Sequence, residues 1–225
     1  MQQKNVIIMI KNLTIKIDKE IILENINWEI RKGELWALMG ENGAGKTTLA
    51  KIISGLLDNY HITGKISIHG KIVYLPQTIN REYVPLLVKE AINLYHIKKR
   101  YVELFKLSEV ENKRIDELSG GMAQALFLSL ALSQDADLYI LDEPNTALDY
   151  EKEETLYRIF EEKVQKEKKS IIVITHEIGW VKKAVKHIAC IHKKEKQLMF
   201  HCPVLHHDGV EVDHGTNNHI ASIQY

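Results

Sequence analysis

Apolar residues along the chain recur with two periods. Short β-rich runs, "NVIIMI", "LTIKI" and, after the polar turn "RKGE", "LWALM", predict strands, the last over Leu35 to Met39. That strand leads straight into the glycine-rich "GENGAGKTT", after which "KTTLAKIISGLL" has helical spacing until Gly55 and Asp58 break it. The run "KIVYL", Lys71 to Leu75, predicts another strand that ends at Pro76. From Gln77 to Glu117 charged segments of helical period replace the strands, notably "VKEAINLYHIKK" and "RYVELFKL", and predict a small helical subdomain.

Further on, a serine and two glycines cap the apolar run "LFLSLALS", predicting a helix from Gly121 to about Ser133. The strand "LYIL", a charged helix around "YEKEETLYRIFEEKVQKEKK", the strand "IIVIT", a helix from Glu177 to about Lys186 and a last strand "IACIH" follow. Strands alternating with helices imply an α/β fold with a mostly parallel sheet and helices on its faces. The expected organisation is one domain over residues 1–205, with the helical subdomain inserted at about 78–134, and a polar, His-containing tail over 206–225.

At 225 residues the chain can bury a sizeable core. Thirty Lys+Arg balance 30 Asp+Glu, so the chain as a whole offers no electrostatic footprint for nucleic acid, and none is expected as a partner. No apolar run approaches the roughly 18 residues of a membrane span, and "MQQKNVIIMIKNL" has too short an apolar core for a signal peptide. A cytoplasmic location follows as an expectation. Cys190 and Cys202 lack CxxC spacing and read as reduced, structural thiols.

The pattern GxxxxGK[ST] is complete at Gly40 to Thr48, between a strand and a helix, which is the context a phosphate loop needs. Gly40, Glu41, Asn42, Gly43, Ala44, Gly45, Lys46, Thr47 and Thr48 form the candidate ATP site. Backbone N–H groups from about Asn42 to Thr47 would cradle the β-phosphate, Lys46 would reach the β- and γ-phosphates, and the Thr47 hydroxyl would ligate Mg²⁺. "LYILDEP" is an apolar strand ending in two carboxylates: Asp142 suits the Mg²⁺-holding role, and Glu143 suits a general base orienting the attacking water. "IIVITHE" delivers His176 to a strand end, where it would contact the γ-phosphate. Gln77, after "VYLP", stands at another strand end as a group that senses the metal or the water.

"LSGG" is a second helix cap suited to an anion. In order, the phosphate loop, Gln77, "LSGG" (Leu118 to Gly121), "LDEP", "TALD" (Thr146 to Asp149) and His176 resemble the motifs of the nucleotide-binding subunit of ATP-binding cassette (ABC) transporters, a likeness running from about Asn5 to Pro203. Rival classes fit less well. "NKRID" has one residue too many for the NKxD of a small GTPase, and the chain has no room for long coiled coils or a second cassette.

The resemblance implies a P-loop NTPase fold with an N-terminal antiparallel β subdomain, ATP and Mg²⁺ as cofactors, and ATP hydrolysis by Glu143 and His176. It implies a head-to-tail homodimer in which Ser119, Gly120, Gly121 and the D-loop Asp149 act in trans on the partner's nucleotide. It also implies an integral-membrane permease gripped through residues about 78–117, with the chain peripheral on the cytoplasmic face. Within the family, "VPLLVKEAINL" and "HIACIHKKEKQLMFHCPV" are similar to stretches of zinc and manganese importers, which makes metal-ion import the leading cargo. Other cargoes, and a soluble ATPase of iron–sulfur cofactor assembly, are the alternatives.

Departures from the family pattern are Ile17 where an aromatic residue stacks on adenine, Met122 for Gln and Ala123 for Arg. The two signature changes are expected to alter packing or rate, not binding. Trp28 and Trp36 are the neighbouring aromatic residues, and Trp28, in an amphipathic strand, is expected in the core. His201, Cys202, His206, His207, His214 and His219 are good zinc ligand types, but their spacing matches no closed tetrahedral motif, and a solvated tail is the simpler expectation.

Overall fold

The computed structural model describes residues 5–56, 60–81, 84–176 and 185–201. In chain order they form β1 (Val6–Ile17), β2 (Glu20–Arg31), β3 (Leu35–Gly40), α1 (Lys46–Ile53), β4 (His61–Ile68), β5 (Ile72–Leu75), α2 (Val88–Leu94), α3 (Lys99–Leu104), α4 (Gly120–Ser133), β6 (Leu138–Asp142), α5 (Tyr150–Gln165), β7 (Ser170–Ile174), β8 (His187–His192) and β9 (Gln197–His201). Two short 3₁₀ turns, over 107–110 and 115–117, lead into α4.

The strands build two sheets. An antiparallel sheet has the order β2-β1-β4, and a six-stranded sheet has the order β5-β6-β7-β3-β8-β9, parallel except for its last strand. Central strands β3, β6 and β7 are buried on both faces, as a sheet with layers on each side requires. Leu38, Ile140 and Ile172 face one cluster with Leu49 and Ile53 of α1 and Ile8 and Ile15 of β1. Ala37, Leu141 and Val173 face another with Leu126 of α4, Phe160 of α5 and Tyr101 of α3. Each fully buried Leu or Ile contributes on the order of 2 kcal/mol, which makes these two interfaces the main source of stability.

Several predicted elements change. "NVIIMI" and "LTIKI" are one strand, not two, because the polar "KN" between them is a bulge in β1 and not a break. Asn12 there takes a positive φ of 48°, and its carbonyl would lie 2.3 Å from a Cβ on Gly64 of β4, so the kink needs glycine opposite it. Strands β2 and β4 complete that sheet. "IACIH" is not the last strand, since β9 returns antiparallel to it through the turn at Lys193–Lys196. The helix predicted from Glu177 and the tail over 206–225 lie outside the described residues.

A buried lysine joins α5 to the central sheet. Lys163 of α5 is 1% exposed, donates from Nζ to Tyr139 Oη at 3.2 Å and to Glu167 Oε2 at 3.4 Å, and lies 4.5 Å from the Tyr139 ring centroid. Burial pushes its pKa below the usual lysine value, and the Glu167 charge opposes that shift. Tyr139 satisfies its own hydroxyl by donating to the Gln134 carbonyl at 2.6 Å, so it does not depend on the ammonium. Removing a buried charge whose partners are otherwise satisfied relieves desolvation. Lys163→Met is therefore expected to hold or raise the thermal midpoint; a fall of more than about 4 °C in a calorimetric scan would show the ammonium to be a net stabiliser.

Candidate active site

The C-terminal ends of β3, β6 and β7 lie side by side, with Leu38 beside Ile174 and Ile174 beside Asp142. Beyond β3 the phosphate loop turns at Gly45, which has a φ of 100° and caps α1. Lys46 is 8% exposed and folds back over the loop, donating from Nζ to the carbonyls of Gly40 at 2.7 Å and Glu41 at 2.9 Å. Burial lowers its pKa; the charges of Glu143 and Asp142 pull it back up. Glu41, Asn42 and Gly43 are exposed, while Ala44 is buried and donates its N–H to the Glu41 carbonyl at 3.1 Å.

Thr47 Oγ1 donates to Asp142 Oδ2 at 2.7 Å, which brings the two candidate Mg²⁺ ligands together across 95 residues of sequence. Tyr74 Oη approaches the same oxygen at 3.4 Å, a longer and weaker contact. Burial raises the Asp142 pKa, the Thr47 hydrogen bond opposes this, and the nearby Glu143 charge adds to it. Tyr74 was not predicted at the site. Its signal is the register of β5 on β6, which sets Tyr74 opposite Ile140, on the same face as Asp142 two residues on.

Glu143 leaves the strand with a positive φ of 48° and donates its N–H to the Ile174 carbonyl at 2.9 Å. Beyond that turn its Oε1 lies 2.7 Å from His176 Nδ1, in reach of an N–H donated by the imidazole. Glu143 Oε2 is buried and has no hydrogen-bond partner among the described residues. His176 itself is largely exposed. Gln77 is exposed two residues past the end of β5 and makes no hydrogen bond to Asp142 or Glu143.

The signature forms the first turn of α4. Ser119 is its cap, accepting the Met122 N–H on Oγ at 3.4 Å, and no hydrogen bond joins Ser119, Gly120 or Gly121 to the phosphate loop of the same chain. Ala123 is buried against the core and Met122 packs on its edge. Asp149 caps α5, accepting the Lys152 N–H at 2.9 Å and pairing with the Lys152 ammonium, which holds its carboxyl below the usual range. Two contacts here had no sequence signal: Arg81 Nη1 donates to the Leu118 carbonyl at 2.8 Å, and Gln124 Nε2 donates to the Pro144 carbonyl at 3.1 Å.

Trp28 is 2% exposed and meets Trp36 edge-on at 5.4 Å, so both indoles are spent on packing. Burial pushes the Cys190 thiol up to about 11, consistent with a structural cysteine. No group of three His, Cys, Asp or Glu among the described residues has the arrangement of a metal site. Cys202, His206, His207, His214 and His219 lie outside the described residues, as does the side chain of His201.

Comparison with known proteins places the chain in a family. The family model described as ABC transporter matches residues 23–146. A Thermotoga maritima protein named "Probable metal transport system ATP-binding protein" is 37% identical over 201 residues, covering 83% of this chain and 82% of the relative. Zinc uptake system ATP-binding protein ZurA of Listeria monocytogenes is 33% identical over 218 residues, covering 84% and 83%. Zinc import ATP-binding protein ZnuC of Acinetobacter baylyi is 29% identical over 194 residues, covering 83% and 74%. A solved ATP-binding subunit of an ABC transporter superposes with a TM-score of 0.75 at 23% identity, covering 85% of this chain and 88% of that one. A metal-chelate type ABC transporter in an inward-facing conformation gives 0.73 at 22% identity, covering 88% and 84%. Both share the α/β fold, with its parallel-rich sheet and antiparallel β subdomain.

The burial of Asp142 has a measurable cost. Its folded pKa lies above its ordinary value of 3.8, so its contribution to stability is greatest below that pH and is lost as pH rises through the folded value. At neutral pH the ionised carboxylate is therefore a destabilising group. Asp142→Asn, which can still accept from Thr47, is expected to raise the melting temperature of the nucleotide-free protein at pH 7 by about 2–4 °C while ATPase activity is lost. The stability gain should vanish when the same melts are run near pH 3.

Proposed function

The chain belongs to the ABC transporter family, and from that premise we propose that it is the ATP-binding and ATP-hydrolysing subunit of a metal importer, driving a separate membrane permease. The ATPase reading is carried by one observation: the Thr47 hydroxyl of the phosphate loop meets the Asp142 carboxylate at 2.7 Å. A hydroxyl and a carboxylate are the hard oxygen donors that Mg²⁺ prefers, and the donor set fits. Thr47 and Asp142 would hold the ion, with Gln77 as a third oxygen donor. When bound, the ion would supply charge neutralisation for the phosphates.

The protein's own groups do the rest. Backbone N–H groups of Asn42 to Thr47 take the phosphates at the N-terminus of α1, where the helix dipole favours an anion. Lys46 exchanges its carbonyl partners for the β- and γ-phosphates, with Gly40, Glu41 and Thr48 completing the cradle. Glu143 is the general base: its Oε2, buried without a hydrogen-bond partner among the described residues, accepts a hydrogen bond from the attacking water. His176 orients Glu143 through Oε1 and presents its ring to the γ-phosphate.

Ser119, Gly120 and Gly121 cap the nucleotide of a second copy in a head-to-tail homodimer, and Asp149 supports that interface by fixing the start of α5. A cap that makes no bond to its own phosphate loop supports closure across two chains. The inserted subdomain at about 78–134 grips the permease through residues about 78–117. This docks the chain on the cytoplasmic face of the membrane. No helix among the described residues is long and apolar enough to cross a membrane. Zinc or manganese is the proposed cargo, supported by the metal and zinc transport names of the relatives.

The test is ATP-dependent uptake of zinc by vesicles carrying the protein with its co-purified membrane partner. Glu143→Gln is expected to cut hydrolysis by about 10²–10⁴-fold and abolish uptake, while ATP still drives dimerisation on a sizing column. Ser119→Arg should bind ATP normally yet stay monomeric in that background. A wild-type complex that hydrolyses ATP but moves neither zinc nor manganese would refute the cargo.

A further inference from the structure

We propose that Gln124 is a positioning residue for Glu143, through which the signature helix of each chain holds the base of its own active site. The inference rests on the reading of Glu143 as base and deepens it.

The loop that follows β6 is bent at two places by residues other than glycine. Glu143 has a φ of 48° and Ala147 a φ of 69°, a left-handed conformation that side-chain-bearing residues keep only where their surroundings impose it. Between them the loop closes on itself through Thr146 N–H to the Glu143 carbonyl at 3.3 Å and Leu148 N–H to the Asn145 carbonyl at 3.0 Å. Pro144 has no N–H to add, so its carbonyl is the polar handle by which a neighbour can hold this turn.

That neighbour is the first part of α4. Gln124 Nε2 donates to the Pro144 carbonyl at 3.1 Å, one residue from the base. One turn earlier on the same helix face, Gly121 lies so close that a Cβ on it would stand 2.5 Å from the Ala147 carbonyl. The helix therefore grips the loop at both bends: a side-chain bond beside Glu143 and a backbone approach, open only to glycine, beside Ala147. The tip of this same helix, Ser119 to Gly121, caps the partner's nucleotide in the proposed dimer. Engagement of that cap and the aim of the chain's own base are thus set by one rigid element.

The carboxylate must stand within a fraction of an ångström of its working position, and a shift of about 1 Å can cost up to about a hundredfold in rate. Gln124→Met keeps length and volume but removes the donor. In steady-state ATPase assays of the protein with its membrane partner, it is expected to lower kcat about tenfold, with KM for ATP within about twofold of wild type. Its melting temperature should stay within about 2 °C of wild type, because the lost bond is small against the total stability. Gln124→Lys, which restores a donor of similar reach, should recover most of kcat.

Wild-type kcat in Gln124→Met beside an inactive Glu143→Gln control would overturn the role of Gln124 alone. A Glu143→Gln control that turns over at the wild-type rate would overturn the base and this inference with it. A loss in Gln124→Met that appears as a raised KM or a lowered melting temperature, or that Gln124→Lys does not recover, would reduce Gln124 to an ordinary packing residue.

Discussion

Strands β3, β6 and β7 are apolar on both faces, so polar groups can leave the central sheet only at the strand ends. That constraint places everything else. Parallel neighbours all end at the same edge, and the ends of these strands and the segments just beyond them carry Lys46 and Thr47, Asp142 and Glu143, and His176. No side chain has to reach far: the sheet register delivers the groups together, and the helices on either side keep the strands from sliding.

Charge at that edge is held under tension. Lys46, Asp142 and Glu143 are all buried, burial depresses the lysine and raises Asp142, and the attraction between opposite charges only partly compensates. Such a cluster destabilises the nucleotide-free protein and is suited to a ligand that brings phosphate and a cation. Lys46 meanwhile bonds the Gly40 and Glu41 carbonyls, interactions that phosphate oxygens can replace without repacking the core.

On the opposite face of the sheet from α1, α4 has a double attachment. Its apolar length packs under the helical segment, with Leu126 and Leu132 beside Tyr101 and Phe105, while its first turn rests on the loop after β6. Arg81 adds a bond from the segment after Gln77 to the carbonyl just before the Ser119 cap. The helical segment, the cap and the loop after β6 are thereby tied together through α4.

Much of this was written locally in the sequence. The GxxxxGKT run, the strand ending in Asp142 and Glu143, the Ser119 cap and the strand leading to His176 depend on neighbours within a few residues, so spacing alone determined the fold class and the candidate ATP site. What depended on distant pairing was not legible. The "KN" bulge of β1 looks like a strand break until Gly64 is seen opposite Asn12, and β9 forms a strand only because β8 offers it an edge. Tyr74, Arg81 and Gln124 carry no motif, and their partners Asp142, Leu118 and Pro144 are 68, 37 and 20 residues away. Sequence determines which chemical groups stand at the ends of elements, because caps, turns and periodicity are short-range; which of those groups touch is decided by sheet register and helix packing, which exist only once the chain has closed on itself.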